Sequence, residues 1–247
     1  MKPVKLFEEF VNEGFYDKGI LKAFFMAGGP GSGKSYVSGE LFGFDEASVS
    51  SLSGSTGLKL INNDKAFELF AHEAGFELDQ LDDIKKDPVK WNELMNTRDR
   101  AKKLTNMQQR NYIGGRLGMV IDGTGKDFGK IQSARELLKD LGYDTYMIFV
   151  NTSLEVALER NKSRKRQLPE DMVKQMWEEV QNNIGKFQNL FGGDKMLIVD
   201  NSESNTGTLP RVEKEVIKRI NQPVQNPEGK WWLRLNDPKN KDFNQPS

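Results

Sequence analysis

The stretch Phe24–Glu40, FFMAGGPGSGKSYVSGE, places an apolar segment directly before a glycine-rich turn and a helix-compatible run directly after it. The turn fits the pattern G-x-x-x-x-G-K-[ST] completely, with Gly28, Gly29, Pro30, Gly31, Ser32, Gly33, Lys34 and Ser35. Glycines at this spacing let successive backbone N–H groups point into one concavity, and the dipole of the following helix adds positive potential. The stretch therefore predicts a phosphate-binding loop in which Lys34 reaches the β- and γ-phosphates of a nucleoside triphosphate and Ser35 binds Mg²⁺.

Short apolar runs alternate with amphipathic stretches along the rest of the chain, which is typical of a parallel sheet with crossover helices. The predicted strands are Leu21–Ala27, Leu58–Asn62, Gly118–Asp122, Asp144–Val150 and Met196–Asp200. Pro169 is expected to open one long helix. The apolar stripe expected along that helix is Met172, Met176, Val180, Ile184, Phe187 and Phe191. The pattern predicts an α/β fold.

Changes of composition along the chain predict three parts. Residues 1–19 are expected to be an N-terminal leader or helix, residues 20–221 the P-loop domain, and residues 222–247 a C-terminal tail rich in Pro, Asn and Lys. A Ser-rich segment at 46–56 is expected to be a loop. The tail contains KWWLRL, and its two tryptophans are expected to dock on the domain itself, with a protein partner as the alternative.

An insertion at residues 73–115 separates the second and third predicted strands. Asp87-Pro88 is expected to start its main helix, because Asp is a good N-cap and Pro is well suited to the first helical position. The expected buried face of this helix is Trp91, Leu94, Ala101, Leu104 and Met107. The insertion is a candidate for binding a second substrate.

Composition excludes several classes of chemistry. The sequence contains no cysteine and only one histidine, so disulfides, thiolate zinc sites, thiol nucleophiles and Ser-His-Asp triads are not expected. Lys plus Arg equals Asp plus Glu at 36 each, so no overall charge attracts the chain to nucleic acid or to a membrane. The absence of a long apolar run and of an export signal leads us to expect a cytoplasmic protein.

Acidic residues follow two predicted strands. Asp122, in GMVIDGTG, ends the third strand, where a carboxylate can hold Mg²⁺ through water, and Thr124 can bond a phosphate or substrate oxygen. Asp64, in LKLINNDKAFELF, comes just after the second strand and could accept the proton of an attacking hydroxyl. The alternative for Asp64 is that it caps the following helix, with Asn63 sharing that role.

The segment LERNKSRKRQLPED is strongly basic. It contains Arg160, Lys162, Arg164, Lys165 and Arg166, and it has no acidic residue from Asn161 to Pro169. Guanidinium groups that close over phosphates neutralise charge in the transition state and exclude water. A solvated basic surface is the alternative.

Taken in order over residues 20–200, GGPGSGKS, INND, VIDGTG and VNTSLEVALERNKSRKRQLPEDMV resemble P-loop kinases of the zeta-toxin and polynucleotide-kinase group. The resemblance implies a three-layer P-loop NTPase fold with a parallel five-stranded sheet, helices on both faces, and a lid at 160–168. It also implies ATP and Mg²⁺ as cofactors, Asp64 as the base, and lid arginines from the basic segment. The leader resembles that of some tailed-phage proteins, which would place the protein in a host cytoplasm.

The chain departs from this group at one position. Members that phosphorylate nucleic-acid 5′ ends often carry an arginine three residues after the base, where this sequence has Phe67. The arginines that could replace it from the insertion and its edge are Arg98, Arg100, Arg110 and Arg116. Each of them could equally be a solvated residue of a helix surface.

The function implied by the resemblance is ATP-dependent transfer of the γ-phosphate to a hydroxyl acceptor, either a nucleotide-sugar or a nucleic-acid 5′ end. One alternative is a kinase of a small metabolite or a nucleoside monophosphate, with 73–115 as the acceptor-binding part. Another is a non-catalytic nucleotide-binding structural or packaged protein that assembles through its leader and tail.

Overall fold

The computed structural model describes residues 15–44, 56–164, 167–202 and 207–241. The predicted leader up to residue 14, most of the Ser-rich segment, Arg166 and the end of the tail therefore lie outside the described residues. The strands are β1 (Lys22–Ala27), β2 (Lys59–Ile61), β3 (Met119–Asp122), β4 (Asp144–Asn151) and β5 (Met196–Asp200).

The five strands form one sheet in the order β2-β3-β1-β4-β5, and every neighbouring pair is parallel. The predicted fold class is confirmed, and each strand boundary differs from the prediction by no more than one residue.

Helices connect the strands and cover both faces of the sheet. They are α1 (Lys34–Phe42), α2 (Asn63–Glu73), α3 (Leu81–Ile84), α4 (Pro88–Gly114), α5 (Phe128–Asp140), α6 (Leu154–Lys162), α7 (Glu170–Gln181), α8 (Ile184–Phe191), α9 (Leu209–Asn221), α10 (Pro227–Asn236) and α11 (Pro238–Lys241). A 3₁₀ turn occupies Leu78–Gln80. Among the helices of the described ranges, none combines the length and the apolar character that a bilayer crossing requires.

The central strand β1 is buried along its whole length, because both faces of the sheet are covered. Phe24 and Met26 pack with α1 and α9, whereas Phe25 packs in a second core with α5 and α8. Successive side chains of a strand point to opposite faces, so the continuous apolar run of β1 supplies both cores at once.

The long helix predicted from Pro169 is wrong, because α7 ends at Gln181 and α8 begins at Ile184. Asn183 lies between them and is buried, and its Nδ2 donates to the carbonyl oxygens of Gly125 (3.0 Å) and Lys126 (2.8 Å). These hydrogen bonds hold the break between α7 and α8 against the segment after β3. The expected stripe also starts one residue too early, since Met172 is exposed and Val173 is buried.

The insertion forms a helical hairpin with a small core of its own. As predicted, α4 starts after Asp87, whose side chain accepts hydrogen bonds from the next two free N–H groups of the helix. Leu94 and Ala101 are buried against Phe67 of α2, but Met107, predicted to be buried, is 55% exposed. The buried face of α4 instead includes two threonines whose hydroxyls donate to carbonyls of the helix itself.

One of the two C-terminal tryptophans docks on the chain itself. Trp232 is half-buried, with the Arg116 guanidinium 5.6 Å from its ring centroid and the Phe15 ring 6.3 Å away. Trp231 is 59% exposed, so the expectation that both tryptophans dock holds for Trp232 only.

A buried ion pair connects β1, β4 and the segment before α10. Lys22 Nζ lies 2.7 Å from Asp144 Oδ2, and the two side chains are 1% and 2% exposed. The same carboxylate accepts hydrogen bonds from the backbone N–H of Gln225 (2.9 Å) and Asn226 (2.8 Å). The charge of Asp144 is thus matched by one ammonium and two amides.

We expect Asp144→Ala to lower the free energy of unfolding by about 3–5 kcal/mol, because it leaves the Lys22 ammonium buried without its partner. Urea unfolding followed by circular dichroism measures this loss. Asp83→Ala is the control, since Asp83 pairs with Lys86 at the surface, where both side chains are more than three-quarters exposed. Its unfolding midpoint should stay close to that of wild type. Equal losses of unfolding free energy in Asp144→Ala and Asp83→Ala would contradict the role assigned to the buried ion pair.

Candidate functional site

The phosphate-binding loop predicted at residues 28–35 runs from the end of β1 into the first turn of α1. Gly31 and Gly33 have φ angles of 74° and 80°, which are left-handed conformations that glycine adopts without strain. A Cβ at Gly31 would collide with the backbone of Ala157 in α6, and one at Gly33 would collide with Nδ2 of Asn201. The glycines therefore allow the loop to pack directly on α6 and on the residue after β5.

Three side chains hold the loop in place. Asn201 Nδ2 donates to the carbonyl of Ser32 (2.8 Å), Arg160 Nη1 donates to that of Gly31 (3.3 Å), and Lys34 Nζ donates to that of Gly28 (2.9 Å). The Lys34 ammonium thus lies over the loop. Within the described ranges, the buried Ser32 hydroxyl has no hydrogen-bond partner.

The carboxyl ends of β2 and β3 bring Asn62 and Asp122 together. The register pairs Ile61 with Ile121, so the residues that follow are neighbours across the two strands. Asn62 Nδ2 donates to Asp122 Oδ2 at 2.8 Å, while Asn62 Oδ1 accepts from the backbone N–H groups of Asp64 (2.8 Å) and Lys65 (3.1 Å).

Asn62 is therefore the N-cap of α2, and the alternative in which Asp64 or Asn63 caps this helix is wrong. The Asp64 side chain is exposed in the first turn of α2. It is consequently available for another role at this edge of the sheet.

Asp122 has the electrostatics of a site for a cation. Its Oδ1 is buried and has no hydrogen-bond partner in the part of the chain that the structure describes. Burial raises the pKa of this carboxyl, Lys34 and Lys65 oppose the rise, and Asp64 adds to it. The charges of Lys34, Lys65 and Asp64 therefore all act on the Asp122 carboxyl at this sheet edge.

The residues present fit Mg²⁺ held mainly by phosphate and water. The described ranges contain no cluster of three or more His, Asp or Glu side chains that could hold a metal alone. Mg²⁺ usually binds one or two carboxylates together with substrate phosphates and water. The unpartnered Oδ1 of Asp122 and the exposed hydroxyl of Ser35, next to Lys34, match that requirement.

Thr124 belongs to the segment that borders the phosphate-binding loop. Its carbonyl accepts a hydrogen bond from Gly28 N at 3.0 Å, and Gly123 N donates to the carbonyl of Met26 at 3.2 Å. The Thr124 side chain is partly buried. The turn after β3 is thus joined to the start of the loop.

The basic segment divides into a part that contacts the loop and a part that does not. Arg160 is half-buried on α6 and bonds the loop, whereas Arg164 lies beyond the end of α6 and is exposed. Lys165 and Arg166 lie outside the described residues. The buried Asn161 closes the segment, because its side chain bonds both the carbonyl (2.8 Å) and the N–H (3.0 Å) of Leu168.

Arg98 from the insertion lies over the ring of Phe67, which is one helical turn after Asp64 on α2. Its guanidinium carbon is 6.0 Å from the ring centroid of Phe67, and that of Arg100 is 4.8 Å from the ring of Phe70. Arg116 lies over Trp232, and Arg110 is exposed near the end of α4. Of the four candidate arginines, Arg98 therefore lies over the ring nearest to Asp64 along α2.

Sequence reasoning missed Asn62, Asn201 and Asn161, which all act through side-chain amides. Asn62 and Asn201 each come directly after a strand, at the edge where the loop lies. A polar residue immediately after a strand of a parallel sheet was the signal that could have identified both.

The AAA domain family, AAA_33, matches residues 24–184 of the chain. No curated protein shows a significant match. Among solved structures, a chain of the PezAT chromosomal toxin–antitoxin system of Streptococcus pneumoniae is similar at 17% identity and a TM-score of 0.52, with 95% of this chain and 92% of that chain covered. A putative kinase from Chloroflexus aurantiacus has 12% identity and a TM-score of 0.52, covering 80% of this chain and 97% of that chain.

The AvrRxo1-ORF1:-ORF2 complex, solved with ATP, has 14% identity and a TM-score of 0.51, with 88% of this chain and 73% of that chain covered. At such identities these structures establish a shared fold. The family match spans more than half of the chain and includes the phosphate-binding loop, β3 and α6. The chain therefore belongs to the AAA domain family and has the fold of a P-loop kinase-like domain.

Proposed function

We propose that the protein transfers the γ-phosphoryl group of ATP to a hydroxyl acceptor that itself carries phosphate, such as a nucleotide-sugar or a nucleic-acid 5′ end. The observation that carries this proposal is the arrangement at one sheet edge of Lys34, Asp122 and an Asp64 carboxylate that the capping of α2 does not use. A phosphate loop alone would be enough for nucleotide binding. A carboxylate beside it favours transfer to a hydroxyl, because such an acceptor has a proton to lose.

The loop is proposed to bind the nucleotide phosphates. Its backbone amides and the N-terminus of α1 supply fixed positive potential, and Lys34 adds a full charge. Lys34 now donates to the carbonyl of Gly28 and would exchange that neutral acceptor for a phosphate oxygen. Arg160 is already seated against Gly31 and would stabilise charge that develops on the transferred group.

Ser35 and Asp122 are the residues that would hold Mg²⁺, which when bound neutralises charge on the β- and γ-phosphates. The buried Oδ1 of Asp122, which has no hydrogen-bond partner in the described part of the chain, supports this assignment. The chain's own contribution is to keep that oxygen buried without a hydrogen-bond partner among the described residues, while Lys34 and Lys65 favour the charged form of the carboxyl.

Asp64 is proposed as the general base. The acceptor oxygen forms a bond to the γ-phosphorus, the bond from that phosphorus to the β–γ bridging oxygen breaks, and the hydroxyl proton passes to the Asp64 carboxylate. ADP and the phosphorylated acceptor are the products. Positioning and electrostatic stabilisation account for most of the rate in such reactions. Arg164 and Arg166 are proposed as further lid arginines that close over the phosphates.

Arg98 is proposed to bind the phosphate of the acceptor. It lies over Phe67, one turn after Asp64 on α2, and its side chain is exposed. A guanidinium can bind phosphate through two parallel hydrogen bonds, which would orient the acceptor hydroxyl towards Asp64. The solved complex with ATP, which shares this fold, supports ATP as the donor.

We expect Asp64→Asn to reduce phosphoryl transfer by about 100-fold or more, because general bases contribute roughly 10²–10⁴ to rate. ATP binding should be unchanged, since the loop does not contact this side chain through any described hydrogen bond. Single-turnover transfer and equilibrium ATP binding measure the two effects. Glu73→Gln, exposed at the far end of α2, is the control. Transfer at the wild-type rate in Asp64→Asn would refute the base assignment.

Arg98→Gln should raise the KM for the acceptor roughly tenfold or more, because a hydrogen bond to a charged group contributes about 1.5–3 kcal/mol. The KM for ATP should stay the same. Arg110→Gln provides the matched change on an exposed position of the same helix. An unchanged acceptor KM in Arg98→Gln, measured with the acceptor identified below, would count against this contact.

The function is tested by incubating the protein with γ-labelled ATP and Mg²⁺ in the presence of separate acceptors. These are a 5′-hydroxyl oligonucleotide, UDP-sugars, nucleoside monophosphates and buffer alone, with Lys34→Ala as the inactive control. Label on the oligonucleotide or a UDP-sugar, lost in Lys34→Ala, is the expected result. Label on a nucleoside monophosphate, release only as free phosphate, or ATP binding without turnover would each contradict the proposal.

A further inference from the structure

A single amide side chain connects the Asp122 carboxylate to the backbone of the helical turn that carries Asp64. Asn62 accepts hydrogen bonds from the backbone N–H groups of Asp64 and Lys65 through Oδ1, and it donates to Oδ2 of Asp122 through Nδ2. The sheet register makes the two residues neighbours, because Asn62 and Asp122 follow a paired position of β2 and β3. Asn62 thereby links the start of α2 to the end of β3.

The chemistry of its partners fixes the orientation of this amide. The two backbone N–H groups at the start of α2 require an oxygen acceptor, so the NH₂ end must point to the carboxylate of Asp122. Aspartate could cap the helix but would place a second negative charge beside Asp122. Serine could also cap the helix, but its hydroxyl has no second polar end to reach the carboxylate.

The contact also determines which oxygen of Asp122 is available. Nδ2 of Asn62 occupies Oδ2 at 2.8 Å, and Oδ1 is the buried oxygen that lacks a partner in the described ranges. A lysine or arginine at position 62 would neutralise the carboxylate and compete with a metal ion. A neutral amide holds the carboxylate in place and preserves its charge.

We propose that Asn62 is a positioning residue that holds the Asp122 carboxylate and the Asp64-bearing start of α2 in the arrangement required for metal–nucleotide binding. This role rests on the proposed function, since it acts through the site that would bind Mg²⁺ and a nucleotide. It assigns to Asn62 a function that helix capping alone does not require.

Asn62→Ser separates the two contacts, because serine still caps α2 but no longer reaches Asp122. With Mn²⁺ as the probe for Mg²⁺ and ADP as the nucleotide, electron paramagnetic resonance of free Mn²⁺ gives the metal affinity. We expect the affinity for Mn²⁺ to fall on the order of tenfold, as is typical when a hydrogen-bond partner of a metal ligand is removed. The thermal unfolding midpoint should stay close to wild type, and Asn62→Thr is a second variant that retains the cap.

The matched control is Asn63→Ser, which changes the neighbouring exposed asparagine. Its Mn²⁺ affinity should equal that of wild type. In an Asp122→Ala background, Asn62→Ser should cause no further loss, because its effect passes through that carboxylate. ADP affinity in EDTA should be the same in wild type, Asn62→Ser, Asn62→Thr and Asn63→Ser.

The outcomes separate the inference from the function on which it rests. Wild-type protein that binds neither ADP nor Mn²⁺–ADP would overturn the proposed function. Wild-type protein that binds Mn²⁺–ADP, together with an unchanged Mn²⁺ affinity in both Asn62→Ser and Asn62→Thr, would overturn the role of Asn62 alone. An equal loss in Asn63→Ser, or a further loss in the Asp122→Ala background, would also overturn it.

Discussion

All five strands of the sheet point in one direction, and the rest of the molecule depends on that constraint. Parallel strands place every carboxyl end at the same edge, so the residues that follow separate strands become neighbours. The phosphate loop follows β1, Asn62 follows β2, and Asn201 follows β5. Because β1 is buried on both faces, the loop that leaves it starts from a fixed point, and contacts from α6 and Asn201 complete its shape.

The features that the sequence predicted well are those with strong local signals. Buried parallel strands appear as largely apolar runs, which is why the boundaries of β1 and β4 could be predicted to within a residue. The glycine pattern of the loop is equally local, because left-handed conformations at Gly31 and Gly33 require a particular residue type. Asp87-Pro88 marked the start of α4 for the same reason, since cap chemistry is set by adjacent residues.

The features that were missed depend on contacts between distant parts of the chain. Asn183 interrupts α7 and α8 because it bonds carbonyls 57 and 58 residues away, and no periodicity in its own segment reveals that. Asn62 rather than Asp64 caps α2, because Asn62 has an extended backbone directly after β2. From there its side chain reaches both the first N–H groups of α2 and the Asp122 carboxylate. Capping residues of similar propensity cannot be ranked without knowing where the strand ends.

The two sides of the candidate site rest on different cores. The phosphate loop, Arg160 and Asp122 are attached to the central sheet, whereas α2 packs in the separate core of the insertion and Arg98 lies over Phe67 of that core. Few structural elements are shared, so we expect changes within the hairpin to alter the proposed acceptor contact of Arg98 with little effect on the phosphate loop. Asn62 lies at the junction of these two parts, because its backbone continues from β2 and its side chain caps the first turn of α2.

The buried pair of Lys22 and Asp144 has a consequence for the order in which the chain matures. These two residues leave the ribosome well before Gln225 and Asn226, which supply the remaining hydrogen bonds to the Asp144 carboxylate. During synthesis, the end of the sheet opposite the phosphate loop therefore holds a carboxylate whose remaining hydrogen bonds water must supply until residues 225 and 226 have been added. The segment before α10 thus completes the hydrogen bonding of Asp144 only after all five strands have been synthesised.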